Sequence, residues 1–236
     1  KKIKFKKIKI KNNNLYKSYF LNINKKFPLL DAKIAISKDY NSINKKTRKI
    51  TNKRSHIVTH LLRSRYDSIL STSKTINKDN ALLNCRIDGL NNFKPDLLII
   101  DRFLKLKRKL ELFDLTKKRK TYIFTESNNK KKISFFKKKH CKIVKIKKLE
   151  NKDDFLILLD ILYKLGKRRV LVETGLNFLN KVLKYKIVNE LFIFKTNSKL
   201  KHDGYNNISS NFLKKFRLKK SENVNLFDNK LFKVKV

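Results

Sequence analysis

The sequence predicts one α/β domain built on an open sheet flanked by helices. Short apolar runs alternate with segments of helical period along most of the chain, the pattern of strands joined by crossover helices. One run, Leu97 to Ile100 between Asp96 and Asp101, is apolar throughout, as a strand buried on both faces requires. At 236 residues and 40% hydrophobic content, the chain can bury one sizeable core.

Taken in order, residues 1–27 are rich in Lys and Asn with scattered aromatics (Phe5, Tyr16, Tyr19, Phe20). They read as a basic arm or interdomain linker with room for one short strand, ahead of a domain spanning 28–236. Pro28 marks the boundary. Leu29 to Ser37 reads as a buried strand. Its apolar positions are Leu29, Leu30, Ala32, Ile34 and Ile36, while Asp31, Lys33, Ala35 and Ser37 share the opposite face. Lys33 therefore points into the protein or a cleft. Thr51-Asn52 offers an N-cap to a helix with an apolar stripe at Ile57, Val58, Leu61 and Leu62, closed by the cations Arg63 and Arg65. Asp67 to Ser71 is the next strand. Thr121–Phe124 and Cys141–Ile146 supply two more, and Asn128 to Lys139 between them reads as a basic surface loop or edge.

Asp153 or Asp154 can cap a helix carrying Phe155, Leu158, Leu159, Leu162 and Leu165, which Gly166 ends. Val170 to Val172 is a buried strand that turns through Glu173-Thr174-Gly175 into a helix with Leu176, Phe178, Leu179 and Val182 on one face. Val188 to Phe194 is a further strand. The tail, Phe212–Leu218 and Val224–Val236, reads as a closing hairpin.

The chain carries 62 Lys and Arg against 19 Asp and Glu, a formal net charge of +43. Charge of that size points to nucleic acid, an anionic membrane surface or another polyanion. The cations are spread along the chain, however, and Lys, Asn, Ile, Phe and Leu are enriched together while Gly is 4, Pro 2 and Trp 0. That is how a genome drifting toward AT-rich codons shapes a protein, and it weakens the case for a nucleic-acid partner. Cys85 and Cys141 form no zinc-like spacing and no disulfide framework, so a reducing, cytoplasmic setting is expected. No apolar run approaches the roughly 18 residues of a membrane span, and the charged N-terminal stretch lacks a signal-peptide pattern.

Polar residues gather where the elements end, which is where α/β folds build ligand sites. At the Glu173-Thr174-Gly175 junction, glycine permits close approach and the following helix offers unpaired N–H groups to a phosphate; a plain tight turn would use the same glycine. Glu173 is either a satisfied structural carboxylate or a ligand-binding one. Arg63 and Arg86 can grip phosphate bidentately, or stand as two more surface cations. Thr75 and Asp79 lie one helical turn apart and could face one ligand or merely cap a helix. His56, His60, His140 and His202 make no recognisable metal set, and there is no GxSxG elbow, P-loop or GxGxxG.

In order and spacing, these pieces resemble a family. Lys33-Ile34-Ala35-Ile36-Ser37-Lys38-Asp39, Leu62-Arg63-Ser64-Arg65-Tyr66-Asp67-Ser68-Ile69-Leu70, Thr75 with Asp79-Asn80-Ala81-Leu82-Leu83 and Arg86, Val170 to Gly175, and Val188-Asn189-Glu190-Leu191 are similar to the reductase domain of the bifunctional riboflavin-biosynthesis deaminase/reductase. The resemblance covers about residues 28–195. It implies a dihydrofolate-reductase-like mixed sheet flanked by helices. It also implies NADPH-dependent reduction of 5-amino-6-(5-phosphoribosylamino)uracil to the ribitylamino compound. By the same resemblance, Ala35, Lys49, Thr75, Asp79 and the turn and helix from Gly175 through Leu176 and Asn177 to Lys181 fall where the family binds NADP. Thr47, Arg63, Leu83, Arg86 and Glu173 fall where it binds substrate, and Lys33 matches the lysine beside the reacting sugar. Lys33, Asp79 and Glu173 are then the candidates for proton handling. A homodimer and an upstream zinc deaminase are the implied partners. Nothing in the chain matches the HxE…PCxxC signature of that deaminase, and residues 1–27 look like the linker that would follow it.

The chain departs from the family at named places. The family has Gly at Tyr40, an aromatic residue at Lys49, an acidic residue and Pro at Asn80-Ala81, Ser or Thr at Arg102, and Gly at Thr174. The glycine-containing loop expected after the Val188–Phe194 strand is replaced by Thr196 to His202. Two rivals remain on the residues alone. One is a basic nucleic-acid-binding module, motivated by the charge. The other is a degenerate, non-catalytic reductase-like domain, motivated by Tyr40, Asn80 and Thr174.

Overall fold

The computed structural model describes residues 16–47, 49–90, 92 and 94–236. The chain runs α1 (Lys17–Lys25), β1 (Leu29–Ile36), β2 (Ile43–Asn44), α2 (Lys53–Arg63), β3 (Ser68–Thr72), α3 (Ser73–Asp79), β4 (Asp96–Ile100), β5 (Thr121–Thr125), α4 (Lys130–Lys138) and β6 (Cys141–Lys145). It continues through α5 (Lys152–Lys164), β7 (Arg169–Glu173), α6 (Leu176–Lys184), β8 (Glu190–Thr196), β9 (Gly204–Tyr205), α7 (Asn211–Lys214) and β10 (Asn229–Lys235). Eight strands form one sheet in the order β10-β8-β1-β7-β3-β4-β5-β6, and β2 pairs with β9 in a separate ribbon. Every neighbour in the large sheet is parallel except β10, which runs antiparallel to β8. This is the mixed, helix-flanked α/β sheet the sequence predicts. No described helix is long and apolar enough to cross a membrane.

The inner strands are buried on both faces, so their sequences are apolar runs rather than alternations. On one face, Ala32, Ile34, Leu70, Leu98, Val172 and Ile193 pack against α5 and α6 in one continuous core. The opposite face is broken into pieces. Ile69, Leu97, Ile99 and Ile123 pack against Ile76 of α3 and Phe136 of α4, while Leu171 packs with Leu62 of α2 and Tyr66. Lys33, Ser71 and Glu173 lie on this second face by the two-residue period, at the break in its apolar packing.

Four local readings are corrected. The first concerns residues 16–27, the described part of the expected arm, which hold the helix α1 and no strand; the spacing of Tyr16, Tyr19, Phe20 and Ile23 is helical, and all four are exposed. Phe5 lies outside the described residues. Second, Asn128–Lys139 holds α4 rather than a loop. Asn129 caps it by accepting the Lys132 N–H at 3.0 Å, and lysine is itself a good helix former. Third, α5 is capped by Asn151, not by Asp153 or Asp154; Asp154 completes a capping box by accepting the Asn151 N–H. Fourth, the tail makes no hairpin of its own. Asn211–Lys214 is a helical turn, and β10 pairs with the free edge of β8.

The apolar stripe expected on α2 is also only partly inward. Ile57 and Leu61 are exposed at 45% and 38%, whereas Ser55 and Thr59 are buried beside Leu62. The buried hydroxyls are satisfied locally: Thr59 donates to the Ser55 carbonyl at 2.9 Å, and Asn229 donates to Ser55 Oγ at 2.9 Å.

Phe155 tests the main core. It is fully buried and its ring lies 5.7 Å from Phe178 and 5.3 Å from Tyr185, centroid to centroid. Phe155→Ala is expected to destabilise the domain by about 3–5 kcal/mol, read as a lower urea midpoint at unchanged slope.

Candidate active site

Parallel pairing of β1 with β7 sets Lys33 opposite Glu173. Arg63, in the last turn of α2, reaches the same carboxylate. Its Nε donates to Glu173 Oε1 at 2.6 Å and its Nη2 to Oε2 at 3.0 Å, while Nη1 donates to the Asn84 carbonyl at 3.0 Å. Lys33 Nζ stands 4.0 Å from Glu173 Oε2 and 5.4 Å from the centre of the Phe194 ring. All three side chains are largely buried, with 15%, 11% and 8% of the Lys33, Arg63 and Glu173 side chains exposed. The Glu173 main chain is fixed as well, since Ser71 Oγ donates to its carbonyl at 2.7 Å.

Burial alone would raise the Glu173 carboxyl, but the charge and paired hydrogen bonds of Arg63, with help from Lys33, hold it below the usual carboxylate range. Burial lowers the Lys33 amine more than Glu173 restores it. Burial would lower the Arg63 guanidinium too, yet Glu173 outweighs that and raises it. With the side chains ionised, two cations share one anion in a desolvated place. The constellation suits an additional negative group.

Arg63 and the chain after α3 are tied together through Asn84. His60 Nδ1 lies 2.9 Å from the Asn84 carbonyl oxygen, and the Arg86 N–H points to the same nitrogen at 3.2 Å. A protonated Nδ1 serves the carbonyl and a bare one serves the amide, so the tautomer chooses between them. Burial, then Arg63 and Arg86, push the His60 ring down to about 4. Arg86 Nη1 donates to Asn84 Oδ1 at 2.7 Å.

The turn after β7 meets the start of α3. The Gly175 N–H donates to Thr75 Oγ1 at 3.2 Å, and Thr75 Oγ1 lies 3.1 Å from Thr72 Oγ1. Gly175 is the N-cap of α6 and brings no side-chain cap. The first amides of α6 are therefore open to an anion. Thr174 Oγ1 is buried without a hydrogen-bond partner. These donors fit the phosphates of a dinucleotide.

The structure thus joins Lys33, Arg63 and Glu173 directly, brings Arg86 to them through Asn84 just after Leu83, and joins Thr75 to Gly175. Leu176 and Asn177 open α6, with Leu176 in the core. Ala35 is half-buried against the packing around Phe194. Thr47 and Lys49 sit in the exposed turn after β2, where Thr47 Oγ1 donates to the Lys49 carbonyl at 2.9 Å. Asp79 is the exposed last residue of α3. A cavity of about 130 Å³ lies elsewhere, lined by Leu104, Arg108, Lys132, Phe135 and neighbours. Sequence reasoning missed Asn84 and Ser71, and set His60 aside once it formed no metal set. The three-residue spacing of His60 and Arg63 on one helix face was the available signal.

Two departures from the family are visible as backbone geometry. Tyr40 adopts φ +62 and Asn80 φ +46. Asn tolerates the left-handed region, whereas Tyr40 is strained there and held by its N–H to the Ser37 carbonyl at 3.0 Å and by Lys195 Nζ 4.0 Å from its ring centre. Thr174 is not among the residues at positive φ, so its backbone has no need of glycine.

Comparison with known proteins bears on this geometry. The profile of the RibD C-terminal domain matches residues 28–197. Among solved structures, RibD of Acinetobacter baumannii is 16% identical with a TM-score of 0.74, over 94% of this chain and 61% of that one. A diaminohydroxyphosphoribosylaminopyrimidine deaminase/5-amino-6-(5-phosphoribosylamino)uracil reductase of Thermotoga maritima is 21% identical with a TM-score of 0.70, over 92% and 59%. The riboflavin biosynthesis reductase of Saccharomyces cerevisiae is 21% identical with a TM-score of 0.69, over 94% and 97%. The chain therefore spans about three fifths of the two bacterial proteins and nearly the whole yeast one. At these identities the likeness shows a shared fold. No curated protein matches the sequence. With the profile covering most of its length, the chain belongs to the RibD C-terminal domain family.

Proposed function

We propose that the domain reduces 5-amino-6-(5-phosphoribosylamino)uracil to its 5-phosphoribitylamino product with NADPH. The observation that carries this reading is the buried Lys33–Glu173–Arg63 constellation. It has one cation in excess, and its carboxylate stands two residues before the open N-terminus of α6. Thr75, Gly175, Leu176 and Asn177 would hold the cofactor's phosphates, with Ala35, Lys49 and Asp79 along its length. NADPH supplies the hydride.

The rest is the work of this chain's side chains. The ribosylamine ring must open before C1′ can accept hydride. Opening breaks the C1′–O4′ bond as the amine nitrogen donates its lone pair, and O4′ then needs a proton. Lys33, an ammonium whose hold on its proton is weakened by burial, is the donor. Glu173, fixed by Arg63, aims that ammonium and stabilises the cationic carbon–nitrogen bond formed at C1′. Because Arg63 spends its donors on Glu173 and Asn84, the substrate phosphate falls chiefly to Arg86, with Thr47 and Leu83 along the sugar. The deaminase paired with reductase in the name of the Thermotoga maritima protein supports a zinc deaminase as the upstream partner. A homodimer in the cytoplasm completes the proposal.

Purified protein given NADPH and the deaminated pyrimidine should consume NADPH; absence of any turnover sinks the proposal. Lys33→Met should lower kcat by about 10²–10⁴-fold, whereas Arg86→Ala should raise KM and leave kcat nearly unchanged. Glu173→Gln strands two buried cations and should cost about 3–5 kcal/mol of stability. His60 gives a pH signature. Its folded pKa of about 4 lies below the ordinary histidine value of 6.5, so the folded state favours the neutral ring. Its contribution to stability is complete above pH 6.5 and is lost as pH falls toward 4. An NMR titration should show the ring protonating near pH 4, and a midpoint near 6.5 would refute its burial beside Arg63 and Arg86.

A further inference from the structure

Arg119 stands just before β5 and is buried, with 5% of its surface exposed, yet it meets no carboxylate among the described residues. Its guanidinium is spent on main-chain oxygens. Nη2 donates to the Leu82 carbonyl, and Nη1 donates to the Leu83 carbonyl at 2.7 Å and to the Pro95 carbonyl at 3.4 Å. Nε has no partner. A buried guanidinium that hydrogen-bonds to no carboxylate, with only the charge of Asp96 acting in its favour, is costly, so its presence calls for a reason. Burial, then the charge of Arg63, lower its pKa to about 10, which still leaves it a cation at neutral pH.

Its partners supply the reason. The carbonyls of Leu82, Leu83 and Asn84 are successive, and each is taken by an arginine: Arg119, Arg119 and Arg63. Leu83 is held at φ +49, a conformation that a leucine keeps only when its surroundings impose it. With the oxygens drawn inward, the amides of Leu83, Asn84 and Cys85 make no hydrogen bond among the described residues. These unpaired amides belong to buried residues that lead directly into Arg86, and successive main-chain N–H groups are a donor set suited to an anion.

We propose that Arg119 is a positioning residue. By pinning the Leu82 and Leu83 carbonyls it turns the following amides and Arg86 toward the phosphate monoester of the substrate. The inference rests on the reductase reading for the identity of that substrate, but not for the existence of the phosphate site. Arg119 touches neither the sugar nor the cofactor in this scheme and acts only through the strand of chain it holds.

The test is ribose 5-phosphate binding by calorimetry, alongside steady-state kinetics, on the full chain. Arg119→Met should weaken ribose 5-phosphate roughly tenfold or more and raise KM by a similar factor with kcat within about twofold. Arg119→Lys keeps the charge and one carbonyl bond, so it should fall between the two. A folded Arg119→Met protein with wild-type affinity and KM overturns the proposal, as does an Arg119→Lys protein no better than Arg119→Met. Should Arg119→Met fail to fold, Arg119→Lys decides: intermediate affinity supports the role and wild-type affinity refutes it. Wild-type protein that binds ribose 5-phosphate, loses that binding on Arg119→Met, and never oxidises NADPH would sink the reductase reading and leave this inference standing.

Discussion

The buried pair of Arg63 and Glu173 is the constraint around which the rest of the site is arranged. It ties the end of α2 to the end of β7 by two parallel hydrogen bonds. It also determines the state of every neighbour. The carboxylate partly offsets the burial that lowers the Lys33 amine, Asn84 is drawn in by the remaining guanidinium nitrogen, and His60 is kept neutral in part by the cation one turn away. Buried ion pairs are weak sources of net stability, because desolvation offsets most of their attraction. This one is better understood as a device that fixes geometry at a place where the sheet's apolar packing is interrupted.

Much of the fold was legible because parallel strands announce themselves as apolar runs. Leu97 to Ile100 is the clearest case, and it lies between β3 and β5 as such a run should. Lys33 was legible from the two-residue period of β1, and Glu173 from its place at a strand end. The helix α4 was not, because its lysines disguise a short apolar stripe of Ile133 and Phe136. The α2 stripe misled for the opposite reason: hydroxyls can face inward when a neighbour satisfies them, as Asn229 does for Ser55. Asn84 and Arg119 carried no sequence signal. Arg119 meets Leu83 across 36 residues of chain, and no local pattern encodes such a contact.

The chain's charge and its site chemistry are separate matters. Most of the 62 basic residues decorate the surface, where lysine is tolerated almost anywhere. Lys33 and Lys167 are buried exceptions, and three arginines hold structured positions. Arg63 forks onto a carboxylate, Arg119 gathers carbonyls, and Arg102 closes on Glu126. A planar group with directed donors can do this, and a mobile ammonium cannot.

The strand order has a consequence for how the chain matures. β1 sits between β7 and β8, and its first pairing joins Leu29 to Arg169. During synthesis β1 must wait for β7 and β8, while β3 to β6 can associate in the order in which they emerge. Lys33 therefore stays without its carboxylate until β7 has been made. A chain cut short before residue 173 has β1 and α2 but not the carboxylate that joins them, so Lys33 and Arg63 are left as two unpartnered cations.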